Sequence, residues 1–315
     1  MSPRAALNSE IYLAYVAVVA VILIAAGLAI VMLRWLAGRD VSHATRSYAA
    51  WLIMVPTVAA ALFLGRIATI VFIFALALCG FWEFARATGL IRERIMSAVV
   101  FAGIGGLASI LLAAGFQQPP ADGAGMFMAF PVFVTTAILA VPIVRNRAVG
   151  ELPQIALAVL GFVYIGWMFG HLALLANSKH AYGYLCFLFV AVELNDVAAY
   201  TCGRLLGRHP LRGNISPKKT WEGAIGALAV SLVVPWLLWF SFPHFGPAEL
   251  IVTGLVVGIG GQLGDLSMSV IKRDVGVKDM GTAISGHGGI LDRIDSLLYV
   301  APLFVHMVRA FHKVY

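Results

Sequence analysis

The chain has 315 residues, of which 61% are hydrophobic and 12% charged, and a mean hydropathy of +0.92. A soluble domain carries about 25% charged residues, so composition excludes an ordinary water-soluble enzyme. The net charge of +7 reads first as membrane topology, since Lys and Arg collect in cytoplasmic loops. There is no RNA- or DNA-binding pattern, and nucleic acid is not expected as a partner.

A hydrocarbon core takes roughly 20 apolar residues per helix, and the chain has room for about ten spans. The first covers 10–33. It is too long for a signal-peptide core and has no clear cleavage site, so it reads as a retained span. Residues 48–64 and 67–84 form the next two around Gly65-Arg66, with Pro56 kinking the former. The third ends in Phe81-Trp82-Glu83-Phe84. Glu83 reads as the interfacial partner of Arg86, because an unpaired charge in a membrane is costly. Spans four to six cover 96–115, 125–144 and 153–176; spans seven to ten cover 182–202, 223–241, 247–264 and 296–311. Basic residues cluster after spans one, three, five, seven and nine. That alternation puts those loops inside and both termini outside. Cys79, Cys186 and Cys202 lie in or beside apolar segments without metal-ligand spacing, and read as buried thiols.

Three polar stretches interrupt this apolar pattern. Span seven contains Glu193-Leu194-Asn195-Asp196; acids inside a span point to a functional site. Asp196 reads as a site acid, whereas Glu193 fits a site role and a helix-packing role equally. Next comes Ile215-Ser216-Pro217-Lys218-Lys219-Thr220. Ser216 is suited to cap a helix and Pro217 to begin it, which predicts Lys218 and Lys219 in a first helical turn. Cations there oppose the helix dipole. They fit a bound polyanion, or else a positive-inside cluster without a ligand. Arg204 and Arg208 carry the same two readings.

The third stretch, 262–296, is the densest. It holds Asp265, Asp274, Asp279, Asp292 and Asp295, four basic residues, and His287 within Gly286-His287-Gly288-Gly289. Carboxylates hold Mg²⁺ through hard oxygens, glycines let backbone N–H groups approach phosphate, and Lys and Arg neutralise remaining charge. Asp292 and Asp295 open span ten, where Asp295 also reads as an acid favouring the helix dipole.

The run Ser269-x-Ile271-Lys272-Arg273-x4-Lys278-Asp279-x-Gly281, then His287-Gly288-Gly289-x-x-Asp292-Arg293-x-Asp295, resembles the signature of phosphatidate cytidylyltransferases, also called CDP-diacylglycerol synthases. Asn195-Asp196 ahead of an Ala-Tyr, and Ser216-Pro217-Lys218-Lys219-Thr220-Trp221-Glu222-Gly223, match the same family. The resemblance covers about 190–296; upstream, the chain matches only as apolar spans. One departure is Ser285, where the family usually has Pro. A Ser turns a chain as well.

The expected fold is all-α, a polytopic integral membrane protein with about ten transmembrane helices. Residues 1–180 supply N-terminal helices and 181–315 a catalytic region within one membrane unit. The resemblance implies transfer of CMP from CTP to phosphatidic acid, giving CDP-diacylglycerol and pyrophosphate for phospholipid synthesis. It implies catalytic roles for Asp265, Asp292, Lys218, Lys219, His287 and Asp196. Substrate contacts would come from Ser216, Asn195, Lys272, Arg273 and Lys278, and from Asp279, Gly288, Gly289 and Arg293. Mg²⁺ would sit on Asp265 and Asp292, with allowance for a second, monovalent cation. His287 suits phosphate binding better than base catalysis, since a phosphate monoester is largely ionised near pH 7 (second pKa about 6). The implied partners are CTP, phosphatidic acid, the bilayer and a second copy in a homodimer. The implied place is the inner cell membrane, multi-pass, with the site facing the cytoplasm. Two alternatives remain: a CTP-dependent lipid kinase or CDP-archaeol-type synthase, and an ion-coupled transporter using Glu193 and Asp196.

Overall fold

Backbone polar groups in hydrocarbon must bond internally, and for apolar runs of this length that means helices. The structure, a computed structural model, describes residues 1–35, 41–114, 123–281 and 288–312. A short α1 (Pro3–Leu7) precedes α2 (Glu10–Trp35), α3 (Ser42–Leu64), α4 (Arg66–Ala87), α5 (Arg94–Ala113) and α6 (Gly123–Val144). Next, α7 (Glu151–Leu160), a π-helical stretch Gly161–Met168 and α8 (Phe169–Leu175) form one rod. Then come α9 (Ala181–Leu206), a hairpin of β1 (Pro210–Arg212) and β2 (Ser216–Thr220), α10 (Trp221–Leu237), α11 (Pro247–Asp274) and α12 (Leu291–Phe311).

Among the described residues, nine helical spans are long and apolar enough to cross a membrane. The remaining apolar helix, α10, has 17 residues. The chain is an all-α polytopic membrane protein, and the expected ten spans correspond to these nine plus α10.

The C-terminal helices pack closely because small residues line their contacts. Gly223 of α10 lies against Gly203 and Ala199 of α9, and Gly254 and Gly258 of α11 lie against Ser231, Leu232 and Leu228 of α10. Gly264 meets the backbone of Asp295 and Ser296 in α12. The N-terminal core is aromatic, with Phe74, Phe81, Phe84, Phe127, Phe162 and Phe169 buried. Helix α12 also packs on α4, α8 and α9, which joins the two regions.

Two local structures depart from the sequence expectation and set the shape of the site. Helix α11 does not stop near 264 but runs 28 residues to Asp274. At 1.5 Å per residue it is about 42 Å long, against about 30 Å of hydrocarbon. It ends at Gly276, whose φ of 74° suits the left-handed turn after a helix. There the Gly276 and Val277 amides bond back to the Arg273 and Lys272 carbonyls.

The second departure is at 216–220, which form a strand rather than the start of a helix. Residues Pro210 and Arg212 pair with Thr220 and Ser216, and Trp221 N–H donates to the His209 carbonyl at 2.9 Å. The helix cap is Thr220, whose hydroxyl accepts from Gly223 N–H at 3.1 Å. Pro217 is tolerated because a two-stranded hairpin has open edges. Lys218 and Lys219 therefore lie on a strand, and the dipole argument for them does not apply.

The opposite end of the bundle gathers histidines. His180 and His244 stack with centroids 3.9 Å apart, and His312 lies 5.1 Å from His244. Tyr184 Oη and His244 Nε2 are hydrogen-bonded at 2.7 Å, and His312 pairs with Glu249 at 3.7 Å. Burial, then His180 and His312, pushes the His244 imidazole down to about 4, against a smaller opposing pull from Glu249. A depressed histidine pKa contributes stability above the unfolded value of about 6.5 and loses it as pH falls through about 4. The melting temperature in detergent should therefore drop between pH 7 and 4.5, and His244→Gln should shrink that drop. An unchanged pH response in the variant would rule out His244 as a source.

Candidate active site

Polar residues from four elements meet at the other end: the C-terminal half of α9, the β1–β2 hairpin, the last turns of α11 and the start of α12. Lys219 Nζ on β2 lies 2.6 Å from Asp265 Oδ2 on α11. The other oxygen, Asp265 Oδ1, accepts from Ser269 Oγ at 3.2 Å. Both partners of the Lys219–Asp265 pair remain partly exposed, at 20% and 30%. Asp295 and Asp196 both interact electrostatically with Asp265. Ser296 supports two of these acids: its hydroxyl donates to Asp196 Oδ2 at 3.4 Å and its N–H to Asp295 Oδ1 at 2.8 Å. Asp295 is therefore a buried member of the acid cluster. The acid in the first turn of α12 is Asp292.

Asp292 is held differently. Its Oδ1 accepts from Lys272 Nζ at 2.8 Å, and its Oδ2 from Met280 N–H and Gly289 N–H at 3.0 and 2.8 Å. The Lys272 and Asp292 side chains are only 11% and 4% exposed. Gly288 has a φ of 81°, which a side chain would strain. Arg273 donates to the Ile215 carbonyl at 3.3 Å, tying α11 to the hairpin.

Other expected residues divide by exposure. Lys218, Lys278, Asp279 and Arg293 are exposed, and Ser216 is half-buried. Arg293 interacts electrostatically with Glu193 and Asp196. Asn195 is fully buried. Its Oδ1 accepts from Ser231 Oγ at 3.1 Å, and its Nδ2 faces Gly261. It thus sits at the α9–α10–α11 contact. His287 and Ser285 lie outside the described residues.

Residues 45–311 match the Cytidylyltransferase family. The chain belongs to this family. It is 43% identical over 150 residues to the phosphatidate cytidylyltransferase of Staphylococcus saprophyticus, across 47% of this chain and 56% of that protein. To the phosphatidate cytidylyltransferase of Staphylococcus haemolyticus it is 42% identical over 149 residues, again across 47% and 56%. To the uncharacterized protein YnbB of Escherichia coli K12 it is 33% identical over 197 residues, across 59% and 66%. The chain thus spans little more than half the length of the staphylococcal relatives it matches.

In this cytidylyltransferase-family chain, the N-terminal helices also reach the site, which the motifs alone did not reveal. Tyr164 of the π-helical stretch donates to the Gly264 carbonyl at 3.2 Å, one residue before Asp265. Glu83 of α4 does not pair with Arg86. Arg86 lies over the Trp82 ring, 4.6 Å from its centroid, and Glu83, 3% exposed, accepts from the backbone at the start of α12. The signal was present as an acid within an aromatic span, which points to function by default. The nearby Arg86 offered a simpler explanation that the helix geometry does not use.

Proposed function

We propose that the protein transfers CMP from CTP to phosphatidic acid. A phosphate oxygen of the lipid attacks the α-phosphorus of CTP, the bond from that phosphorus to the bridging oxygen of the β-phosphate breaks, and pyrophosphate leaves with the electron pair. The observation that carries this reading is the 2.6 Å pair of Lys219 and Asp265. It joins the Ser-Pro-Lys-Lys strand to Asp265 of α11, which supports reading the lysines as triphosphate contacts beside a metal-binding carboxylate. The names of the two staphylococcal relatives support the same reaction.

The residues act by positioning and by neutralising charge. Lys219 and the exposed Lys218 hold the triphosphate. Lys278 and Arg293 steady the lipid phosphate and the leaving group. Lys272 acts through Asp292, and Arg273 by fixing the hairpin to α11.

Mg²⁺ is commonly bound by one or two carboxylates plus substrate phosphates rather than by a full protein cage. Among the described residues, no group of three His, Cys, Asp or Glu side chains is placed to hold a metal by itself, so a bound ion would need substrate oxygens as well. Asp265 and Asp292 would hold the ion, since an ionised carboxylate has about four acceptor positions and each of these spends only some on its present partners. Asp295 stands behind Asp265 as a third acid. When bound, Mg²⁺ supplies charge neutralisation at the phosphates. The site would face the cytoplasm, across the inner membrane from the histidine cluster, and two copies would associate as a homodimer.

The test is transfer of label from CTP to phosphatidic acid by purified protein in detergent, with and without Mg²⁺. Mg²⁺-dependent label in the lipid phase with pyrophosphate release is expected. Release of CDP with a phosphorylated lipid would replace this reading with a kinase, and flux in proteoliposomes without CTP would replace it with a transporter.

A further inference from the structure

We infer that Glu83 is a positioning residue: from α4 it holds the start of α12 and thereby aims Asp292, Arg293 and Asp295 into the site. The effect on catalysis rests on the proposed CMP transfer; the grip on α12 does not.

The geometry is specific. Glu83 Oε1 accepts from Ile290 N–H at 3.0 Å and Oε2 from Leu291 N–H at 2.9 Å. These amides stand at the cap and first residue of α12, where a helix has no internal acceptors for them. The cap residue, Ile290, makes no side-chain capping bond of its own. A residue 207 positions earlier in the chain therefore does what a local cap does elsewhere. Burying a carboxylate is costly unless it is bonded, and among the described residues Glu83 has no cationic partner. The helix N-terminus supplies the compensation, as two N–H donors and a partial positive charge.

The surrounding backbone is fitted to this carboxylate. A Cβ at Gly281 or Gly289 would run into the Glu83 carboxylate group. Gly80, one turn earlier on α4, lets Leu291 and Ile294 approach to 3.3 and 3.7 Å of where its Cβ would be. Asp292 grips the same backbone, through Gly289 N–H and Met280 N–H. Two carboxylates from different helices thus pin successive amides from Gly289 to Leu291. A change at Glu83 frees α12 to turn or shift at the turn that carries Asp292.

Three measurements test this on the full-length protein. Glu83→Ala is expected to lower kcat by about 10- to 100-fold, the usual cost of losing an outer support, with KM for CTP changed less than about twofold. Glu83→Gln, which keeps one acceptor oxygen, should restore most of that loss. A lower melting temperature with unchanged kcat per folded molecule would reduce Glu83 to a purely structural residue and overturn the proposal.

Gly289→Ala should be far less damaging in the Glu83→Ala background, where the carboxylate it collides with is gone; independent, multiplicative losses would also overturn it. Finally, hydrogen exchange should quicken in peptides covering 288–293 of Glu83→Ala while α11 peptides stay unchanged. That readout and the effect of the pair of substitutions on melting temperature do not depend on the reaction. If the wild-type protein moves no CMP, the proposed function fails while these still decide the role of Glu83. Exchange that rises uniformly, or not at all, rejects it.

Discussion

Lys272→Met should destabilise the protein by about 3–5 kcal/mol, the range for removing one member of a buried ion pair. The expectation follows from burial rather than distance. With side chains only 11% and 4% exposed, Lys272 and Asp292 are barely screened by water. Removing the ammonium leaves a carboxylate supported by two amides and no cation. Adding Asp292→Asn removes the stranded charge, so the double variant should recover more than half of the loss in a detergent melt. Strictly additive losses would show that the pair is not coupled. Activity should vanish in the double variant even where stability returns, since Asp292 is one of the two proposed metal ligands.

Asp265→Asn should behave in the opposite way. Its pair with Lys219 is partly exposed on both sides, and such pairs contribute only about 0–1 kcal/mol. The amide also keeps an acceptor for Ser269 Oγ. The variant should therefore fold nearly as well as the parent. CMP transfer should fall by at least about 100-fold, the scale of losing one preorganised electrostatic contact in an active site. Increasing Mg²⁺ should recover part of the rate if the lesion is weakened metal affinity. Near-normal turnover at ordinary Mg²⁺ would remove Asp265 from the metal site.

The apolar spans were legible because length and hydropathy determine them almost alone: α2, α4, α6 and α9 begin and end within four residues of the expected bounds. The motif acids and lysines were legible as a set because charged residues are rare in this chain. Local geometry was less so. Ser216-Pro217 has the composition of a helix start, but the pairing with 210–212 is a tertiary choice that makes it a strand. Asp265 looked like the end of a span because glycines precede it. Those glycines instead admit α12 and Asn195, and the helix continues. Glu83 stood out as an acid within an apolar span, but its role did not, and Tyr164 carried no signal, because their contacts lie 207 and 100 positions away and no local pattern encodes such a distance.

The length of α11 bears on where the proposed lipid and nucleotide substrates would meet. Asp265 stands 18 residues after Pro247, about 27 Å along the helix, or close to one hydrocarbon thickness. Asp295 stands 16 residues before Phe311, about 24 Å from the same far side. With both helices upright in a bilayer, the two acids would lie near headgroup depth, with the last turns of α11 beyond them. A lipid acceptor can present its phosphate there while its acyl chains stay in their own leaflet, and the nucleotide can arrive without crossing any apolar barrier. On the proposed reaction, the reacting groups would meet at a phase boundary set by the helix length. Turnover would then follow how densely the acceptor populates the membrane plane, not its amount in the surrounding volume.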